Sequence, residues 1–329
     1  MAFLAAIFFG FVPMFFFAYL LYWLDRYEKE PLPLLVGVFA WGLVVAAGGA
    51  FILNTLFGMT IFSLTGSESA SNFATSSISA PFVEESLKGM AVLLVFLIFR
   101  REFDSLLDGI VYAGVTALGF AATENVLYIW RGFEANGWDG FFQLVLIRVI
   151  LVGWQHPFYT AFTGIGLAIA RMNRSWTVKV IAPLTGFGLA MFTHSFHNTL
   201  ADIPFFGEMT CVVGSFLDWF GVMFMFLVIL WATARERRKL VIHLEEEVQL
   251  DLISPAQYRT ACSAWSQALA RLKSLFGGHF HTTNRFYQVC GELAHKKQQL
   301  FTLGEEQGNS AIIQQYRLEL ARLGRTAQA

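Results

Sequence analysis

The chain has 329 residues, 56% of them hydrophobic and only 14% charged, with a mean hydropathy of +0.54. Soluble domains carry about 25% charged residues, so an ordinary water-soluble globule is excluded. A formal net charge of −1 offers no field for a nucleic acid, and 35 phenylalanines point to a polytopic, all-α bundle of transmembrane helices.

A membrane span needs about 20 largely apolar residues. Seven stretches qualify, at about 2–24, 33–57, 79–99, 106–130, 141–170, 177–202 and 209–233. The first, starting at Met1–Phe9, lacks the positive region of a cleavable signal peptide and reads as a retained span. The 58–78 connection, rich in Ser, Thr and Gly, and the short polar 132–140 segment read as loops. Pro157 should kink or break the long fifth span.

Lys and Arg fall in alternate connections: Arg26 and Lys29, Arg100 and Arg101, Arg171, Arg174 and Lys179, then Arg235 to Lys239. The intervening loops hold only Arg131. Positive loops stay in the cytoplasm, so the amino terminus is expected outside and the carboxyl terminus inside. Residues 1–235 then form the membrane core and 236–329 a small cytosolic helical tail, which together with Arg235 carries 13 of the 23 Lys and Arg residues. In the tail, Ser254-Pro255 predicts a capped helix start. The run to Phe276 places Tyr258, Cys262, Trp265, Leu269 and Leu272 at helical spacing, and Gly277-Gly278 ends it. Two further amphipathic runs cover about 284–303 and 309–323. His243, His279, His281 and His295 read as solvated surface. Cys211, Cys262 and Cys290 have no metal-like spacing and are too few for a disulfide framework.

Ionisable groups inside a span cost at least about 2.5–3.5 kcal/mol each and usually serve function. Glu84, Glu85 and Lys88 lie in the third span, Glu124 and Asn125 in the fourth, Arg148, Gln155 and His156 in the fifth, and His194, His197, Asn198 and Asp202 in the sixth. At 1.5 Å per residue, the predicted orientation puts Glu84, Glu85, Lys88, Glu124 and His194 about 8–14 Å below the outer boundary. Glu84, Glu85 and Lys88 share one helix stripe, as do His194, His197 and Asn198. Thr160, Gly164 and Gly166 leave room for a neighbouring helix. The competing structural reading is a set of interhelical hydrogen bonds and one ion pair; Arg148 reads as snorkelling or ion-pairing.

Carboxylates and imidazoles in a sequestered pocket suit activation of water, with a glutamate as general base and a histidine or Asn198 as donor to the oxyanion. Alternatively, His156, His194 and a glutamate hold a catalytic zinc with an open position. There is no His-Glu-x-x-His motif and no serine in a nucleophile-elbow context.

Glu84-Glu85-Ser-Leu-Lys88 resembles the Glu-Glu-x-x-Lys motif of the PrsW family of intramembrane peptidases, and Phe120-Ala-Ala-Thr-Glu124-Asn125 its Phe-x-x-x-Glu-Asn motif. His156-Pro-Phe-Tyr-Thr160-Ala-Phe-Thr-Gly164 and His194-Ser-Phe-His197-Asn198 resemble its third and fourth, and Asp25 to Pro31 its acidic loop after the first span. The resemblance covers about residues 10–235. The family is distantly similar to the CAAX-protease and bacteriocin-processing group, whose first motif carries Arg one position later and whose second ends in His; here Lys88 closes the first motif and Glu124 the second, which favours the PrsW side. The resemblance implies a membrane protease in the plasma membrane of a prokaryote, acting on a single-pass membrane protein such as an anti-sigma factor. It places Glu84, Glu85, Glu124, His156 and His194 in the active site, supported by Lys88, Asn125, Thr160, His197 and Asn198. It leaves zinc and metal-free glutamate catalysis both open, and a regulator-binding role for the tail as an expectation. The rival reading is a proton-coupled transporter or membrane sensor using the same Glu/His cluster; the absence of an internal repeat of the polar motifs argues against it.

Overall fold

The computed structural model describes residues 1–202, 209–306 and 308–327, and among these it is helical throughout, with no strand. Two compact units emerge, one of Met1–Trp23, Glu30–Arg171 and Trp176–Val228, the other of Leu24–Lys29, Met172–Ser175 and Ile229–Ala329.

In the first unit the elements are α1 (Ala2–Leu24), α2 (Leu32–Ala40), α3 (Ala47–Thr65), α4 (Glu68–Ala74), α5 (Ala80–Ile98), α6 (Leu106–Val145), α7 (Gln155–Arg171), α8 (Trp176–Asp202) and the start of α9 (Met209–Gln249). Five segments are long and apolar enough to cross a membrane: Ala2–Leu24, Leu32–Thr65, Leu106–Arg171, Trp176–Asp202 and Val213–Gln249. α5 is long enough, but Glu84, Glu85 and Lys88 dilute its apolar character. The Leu106–Arg171 segment folds back on itself. Asn136 and Gly137 leave the helical conformation, with Gly137 at φ 61°, and a Cβ on Gly132 would sit 2.8 Å from the Gly140 carbonyl oxygen. Only Gly at both positions lets the two arms of the hairpin approach so closely.

Three expectations need correction. The 58–78 connection is not a loop: α3 runs to Thr65, Gly66 caps it at φ 67°, and α4 follows. Thr55, Thr60, Ser63 and Thr65 each donate to the carbonyl four residues back, so their hydroxyls are satisfied within the helix and do not break it. The 132–140 segment is likewise helical except for its two-residue turn. Thirdly, the fifth span breaks before its proline. A widened π-turn at Leu146–Leu151 ends near Val152, and Pro157 falls in the first turn of α7, where a missing N–H costs nothing.

Glycines set the spacing of the bundle. A Cβ on Gly42 would lie 2.0 Å from the Thr116 carbonyl oxygen, and one on Gly164 would lie 2.0 Å from that of Gly109. Backbones in direct contact pull α6 against the α2–α3 segment and against α7. The small residues after His156 therefore do what their size suggests. α6 is buried along nearly its whole first half, from Leu107 to Ala122.

The second unit comprises the end of α9 and α10 (Pro255–Ala261), α11 (Ala264–Phe276), α12 (Phe280–Leu303) and α13 (Asn309–Leu323). Ser254 caps α10 in a reciprocal box with Gln257, as its sequence predicts. Leu240, Leu244, Phe286, Tyr287, Leu293 and Leu320 form its core, with Tyr27 from the Leu24–Lys29 segment. Glu247, fully buried, is held by Lys297 at 2.8 Å and Arg317 at 2.8 Å. The histidine expectation holds for exposed His279 and His281 but not for His295, which is buried and paired with Glu28. His243 is half-buried against Gln298. Cys262 and Cys290 are free thiols; the Cys211 side chain lies outside the described residues.

Candidate active site

Four helices bring the predicted polar residues together. On α5, the i, i+3 and i, i+4 spacing aligns Glu84 and Glu85 with Lys88. Lys88 Nζ lies 2.6 Å from Glu85 Oε1 and 3.9 Å from Glu84 Oε2, and its ammonium sits 4.6 Å above the Phe120 ring. Both oxygens of Glu85 are engaged: Thr160 Oγ1 donates to its second oxygen at 2.8 Å, and His194 Nδ1 lies 2.9 Å from Oε1. Glu84 differs. Its Oε2 is buried without a hydrogen-bond partner, 3.8 Å from His194 Nε2.

α6 and α7 supply the second half. His156 Nε2 lies 2.9 Å from Glu124 Oε2, and His156 Nδ1 lies 3.2 Å from Lys88 Nζ. Carboxylates only accept and ammoniums only donate, so Nε2 carries the proton and Nδ1 accepts. By the same reasoning His194 donates from Nδ1 to Glu85 and turns a bare Nε2 toward Glu84. Arg148 pairs with Glu124 and donates to Asn125 Oδ1 at 3.1 Å, which bears out its ion-pairing role. The two imidazole rings stand 5.3 Å apart, and Tyr159 stacks on His194 at 4.9 Å.

These groups line a cavity of about 980 Å³ whose wall includes Glu84, Glu124, His156, His194, His197 and Asn198. Glu85, Lys88 and Thr160 lie behind it, fully buried. His197 and Asn198 reach the cavity but not the glutamates. His197 Nδ1 sits 2.9 Å from Asp218 Oδ2, and Asn198 donates to the Ser76 carbonyl at 2.9 Å.

Asp218 of α9 is the residue that sequence reasoning missed. It also accepts from Gln155 and, at 3.5 Å, from the Tyr159 hydroxyl, so it ties α7, α8 and α9 behind His194. The available signal was the one that singled out Glu84, an acid inside an apolar stretch. Ser76, which donates to Asp202, carried no such signal.

Glu84, His156 and His194 each offer one ligand atom, all within 4.8 Å of one another. A family model described as PrsW family intramembrane metalloprotease matches residues 30–232, a span that contains every residue named above and excludes the tail. The chain belongs to the PrsW family. It is 26% identical to the Protease PrsW of Bacillus subtilis (strain 168) over 208 residues, 63% of this chain and 82% of that one. It is 32% identical to the Protease PrsW of Geobacillus kaustophilus over 140 residues, 43% of this chain and 55% of the relative, so the match spans about half of that protein's length. With the Protease PrsW of Clostridioides difficile it shares 36% identity over 107 residues, 32% of this chain and 42% of the other. No solved structure matches the chain.

The family description implies a metal, and the residues fit one. Two histidines and a glutamate are the donor set of a three-ligand catalytic zinc with an open position. The orphaned Glu84 Oε2 is a ligand atom in search of a partner. Behind the histidines stand carboxylates, Glu124 on His156 and Glu85 on His194, in the supporting position that orients ring ligands. Glu84, His156 and His194 would hold the ion, with Lys88 giving up its contact to His156.

Proposed function

We propose that the chain is an intramembrane endopeptidase that hydrolyses a membrane-anchored protein, such as an anti-sigma factor, with water activated by Glu84. The observation that carries this reading is the unpartnered Glu84 Oε2 in the wall of a large cavity, beside the bare Nε2 of His194. Glu85, bound by Lys88, His194 and Thr160, is fully buried behind the cavity and serves to hold those three groups.

In the reaction, Glu84 takes a proton from water as its oxygen attacks the scissile carbonyl, and later passes that proton to the departing amide nitrogen. Asn198, with one amide hydrogen given to Ser76, has a second for the developing oxyanion. Tyr159 and Glu85 fix the His194 ring, and Glu124 with Lys88 fixes that of His156, so no reorganisation is needed at the moment of attack. If zinc is bound instead, Glu84 would be a ligand with His156 and His194 rather than the base, and the metal would supply a more acidic water and polarise the carbonyl.

The reading includes seven crossings, with the amino terminus outside and the site in the outer half of the bilayer. The alternating Lys and Arg loops support that orientation, and the hairpin at Asn136–Gly137 accounts for two crossings within Leu106–Arg171. Cleavage is then expected near the extracytoplasmic end of a single-pass substrate. The test is purified protein in detergent with such a substrate and no ion gradient. Cleavage that disappears in His156→Ala and His194→Ala supports the peptidase. Full cleavage in both variants, or no cleavage without a proton gradient, overturns it in favour of a transporter. Metal analysis and chelator sensitivity of the active protein decide between zinc and metal-free catalysis.

A further inference from the structure

The tail helix α11 is built inside out. Its buried residues are Gln267, Ala270 and Ser274, whereas Trp265, Leu269, Leu272 and Phe276 are exposed, Trp265 to 72% and Phe276 to 89%. Spacings of four, three and four residues put those four on one stripe of the helix, directly opposite the buried face. Helical spacing along the sequence places Trp265, Leu269 and Leu272 on the same helix as Tyr258 and Cys262. The structure divides that run. α10 ends at Ala261, Ser263 caps a new helix, and the change of phase leaves Tyr258 and Cys262 on the core while the later residues point away.

What covers this stripe follows from where the helix is tied. Arg237 donates to the Cys262 carbonyl at 2.9 Å, and Arg237 lies in the basic run that ends the last apolar stretch. At the start of that run, Arg235 stacks over Trp231 at 5.6 Å, a pairing typical of a membrane boundary. A second tie is to Tyr27, which bonds to the backbone of Ala264 and lies three residues beyond the end of α1. Arg271 also lies near this segment: its charge adds to burial in pushing the Lys29 ammonium down to about 8, against the opposing pull of Asp25. The start of α11 is therefore held beside two chain segments that, in the predicted orientation, leave the bilayer on the same side. Charge agrees as well: residues 255–276 contain Arg259, Arg271 and Lys273 and no acidic residue. Lys273 and Arg259 are not buried, and Lys273 flanks the apolar stripe.

We propose that α11 is an interfacial helix, its Trp265, Leu269, Leu272 and Phe276 stripe seated in the anionic lipid leaflet on the side where Arg235 to Lys239 emerge. The length and composition suit this role: a short helix too polar overall to span a bilayer, with Trp, Leu and Phe on one face and basic residues beside them, binds at the headgroup boundary. Anionic lipid adds attraction for each nearby Lys or Arg. This lipid contact lies outside the part of the chain that the family model matches.

The test is full-length protein reconstituted at one chain per nanodisc in phosphatidylcholine with phosphatidylglycerol. An environment-sensitive fluorophore is placed on Leu272→Cys, on Phe276→Cys at the helix end, and on Gln315→Cys as an exposed control in α13. Unsubstituted protein gives the background from native thiols. Both stripe sites are expected to be quenched by spin labels carried near the lipid headgroup, more than by labels deep in the chains, because such a helix sinks about 5–10 Å. They should be shielded from aqueous iodide, with the control showing the reverse. Lys273→Glu should weaken the lipid quenching, as should replacement of phosphatidylglycerol by neutral lipid. Iodide quenching equal to the control would overturn the proposal. So would shielding without any lipid quenching, which would mean that protein covers the stripe. Phe276→Cys, on a side chain that is almost fully exposed, keeps the test valid if Leu272→Cys misfolds.

Discussion

Exchanging each of the adjacent glutamates for glutamine separates catalysis from architecture. Glu85→Gln removes the charge that lies 2.6 Å from a Lys88 with no solvent exposure, leaving only Glu84 at 3.9 Å. Breaking a buried pair from one side costs about 3–5 kcal/mol. That is a large share of the roughly 5–15 kcal/mol by which domains are stable. Glutamine also presents an amide where His194 and Lys88 both need an acceptor. Glu84→Gln, by contrast, alters a carboxylate whose Oε2 accepts no hydrogen bond and whose ionic neighbours stand 3.8–3.9 Å away. Its effect on stability is expected to stay within about 1 kcal/mol. Its effect on rate is expected to be about 10²–10⁴-fold, the usual contribution of a general base. Thermal unfolding in detergent and initial rates on a single-pass substrate give both readings for each variant. A Glu84→Gln protein with wild-type turnover, or a Glu85→Gln protein with wild-type stability, would refute the assignment.

Gly164→Ala would place a methyl 2.0 Å from the Gly109 carbonyl oxygen, so the α6–α7 contact must open by about 1.4 Å to reach an ordinary 3.4 Å contact. A loss of about 1–3 kcal/mol in stability is expected, with a fall in turnover of up to about 100-fold from displacement of His156. Gly188→Ala, which meets nothing within 4 Å, should change neither; equal behaviour of the two would show that the contact does not matter. Asp218→Asn should lower turnover with little change in KM, since Asp218 touches Gln155, His197 and Tyr159 and not the glutamates; a rise in KM alone would contradict a positioning role behind His194. Burial pushes the Cys262 thiol up to about 11 and that of Cys290 higher. Both should resist alkylation at pH 8 until the tail unfolds, as peptide mass mapping would show; labelling of native protein at the rate of a free thiol would contradict that packing.

Much of the site was legible because intramembrane charge is costly. Glu84, Glu85, Lys88, Glu124, His156 and His194 stand out against lipid-like surroundings, and helical periodicity alone puts three of them on one stripe. The structure then divides roles that the sequence leaves equal. Whether Glu84 or Glu85 faces the cavity depends on where α7 and α8 bring Thr160 and His194, and both settle on Glu85. Asp218 escaped attention although it obeys the same rule, and its partners on α7 and α8 are defined only by packing.

The amino-acid sequence by itself determines that this chain is a helical membrane protein with a cluster of acids and imidazoles. Hydropathy and charge cost are local properties, fixed residue by residue. The 58–78 helices, the break before Pro157 and the outward stripe of α11 were decided by tertiary structure. In each, a backbone hydrogen bond, a cap or a change of helical phase chose between readings that local composition left equivalent. The same applies to the two glutamates: adjacent in sequence, they are made chemically different only by what the neighbouring helices place against each one.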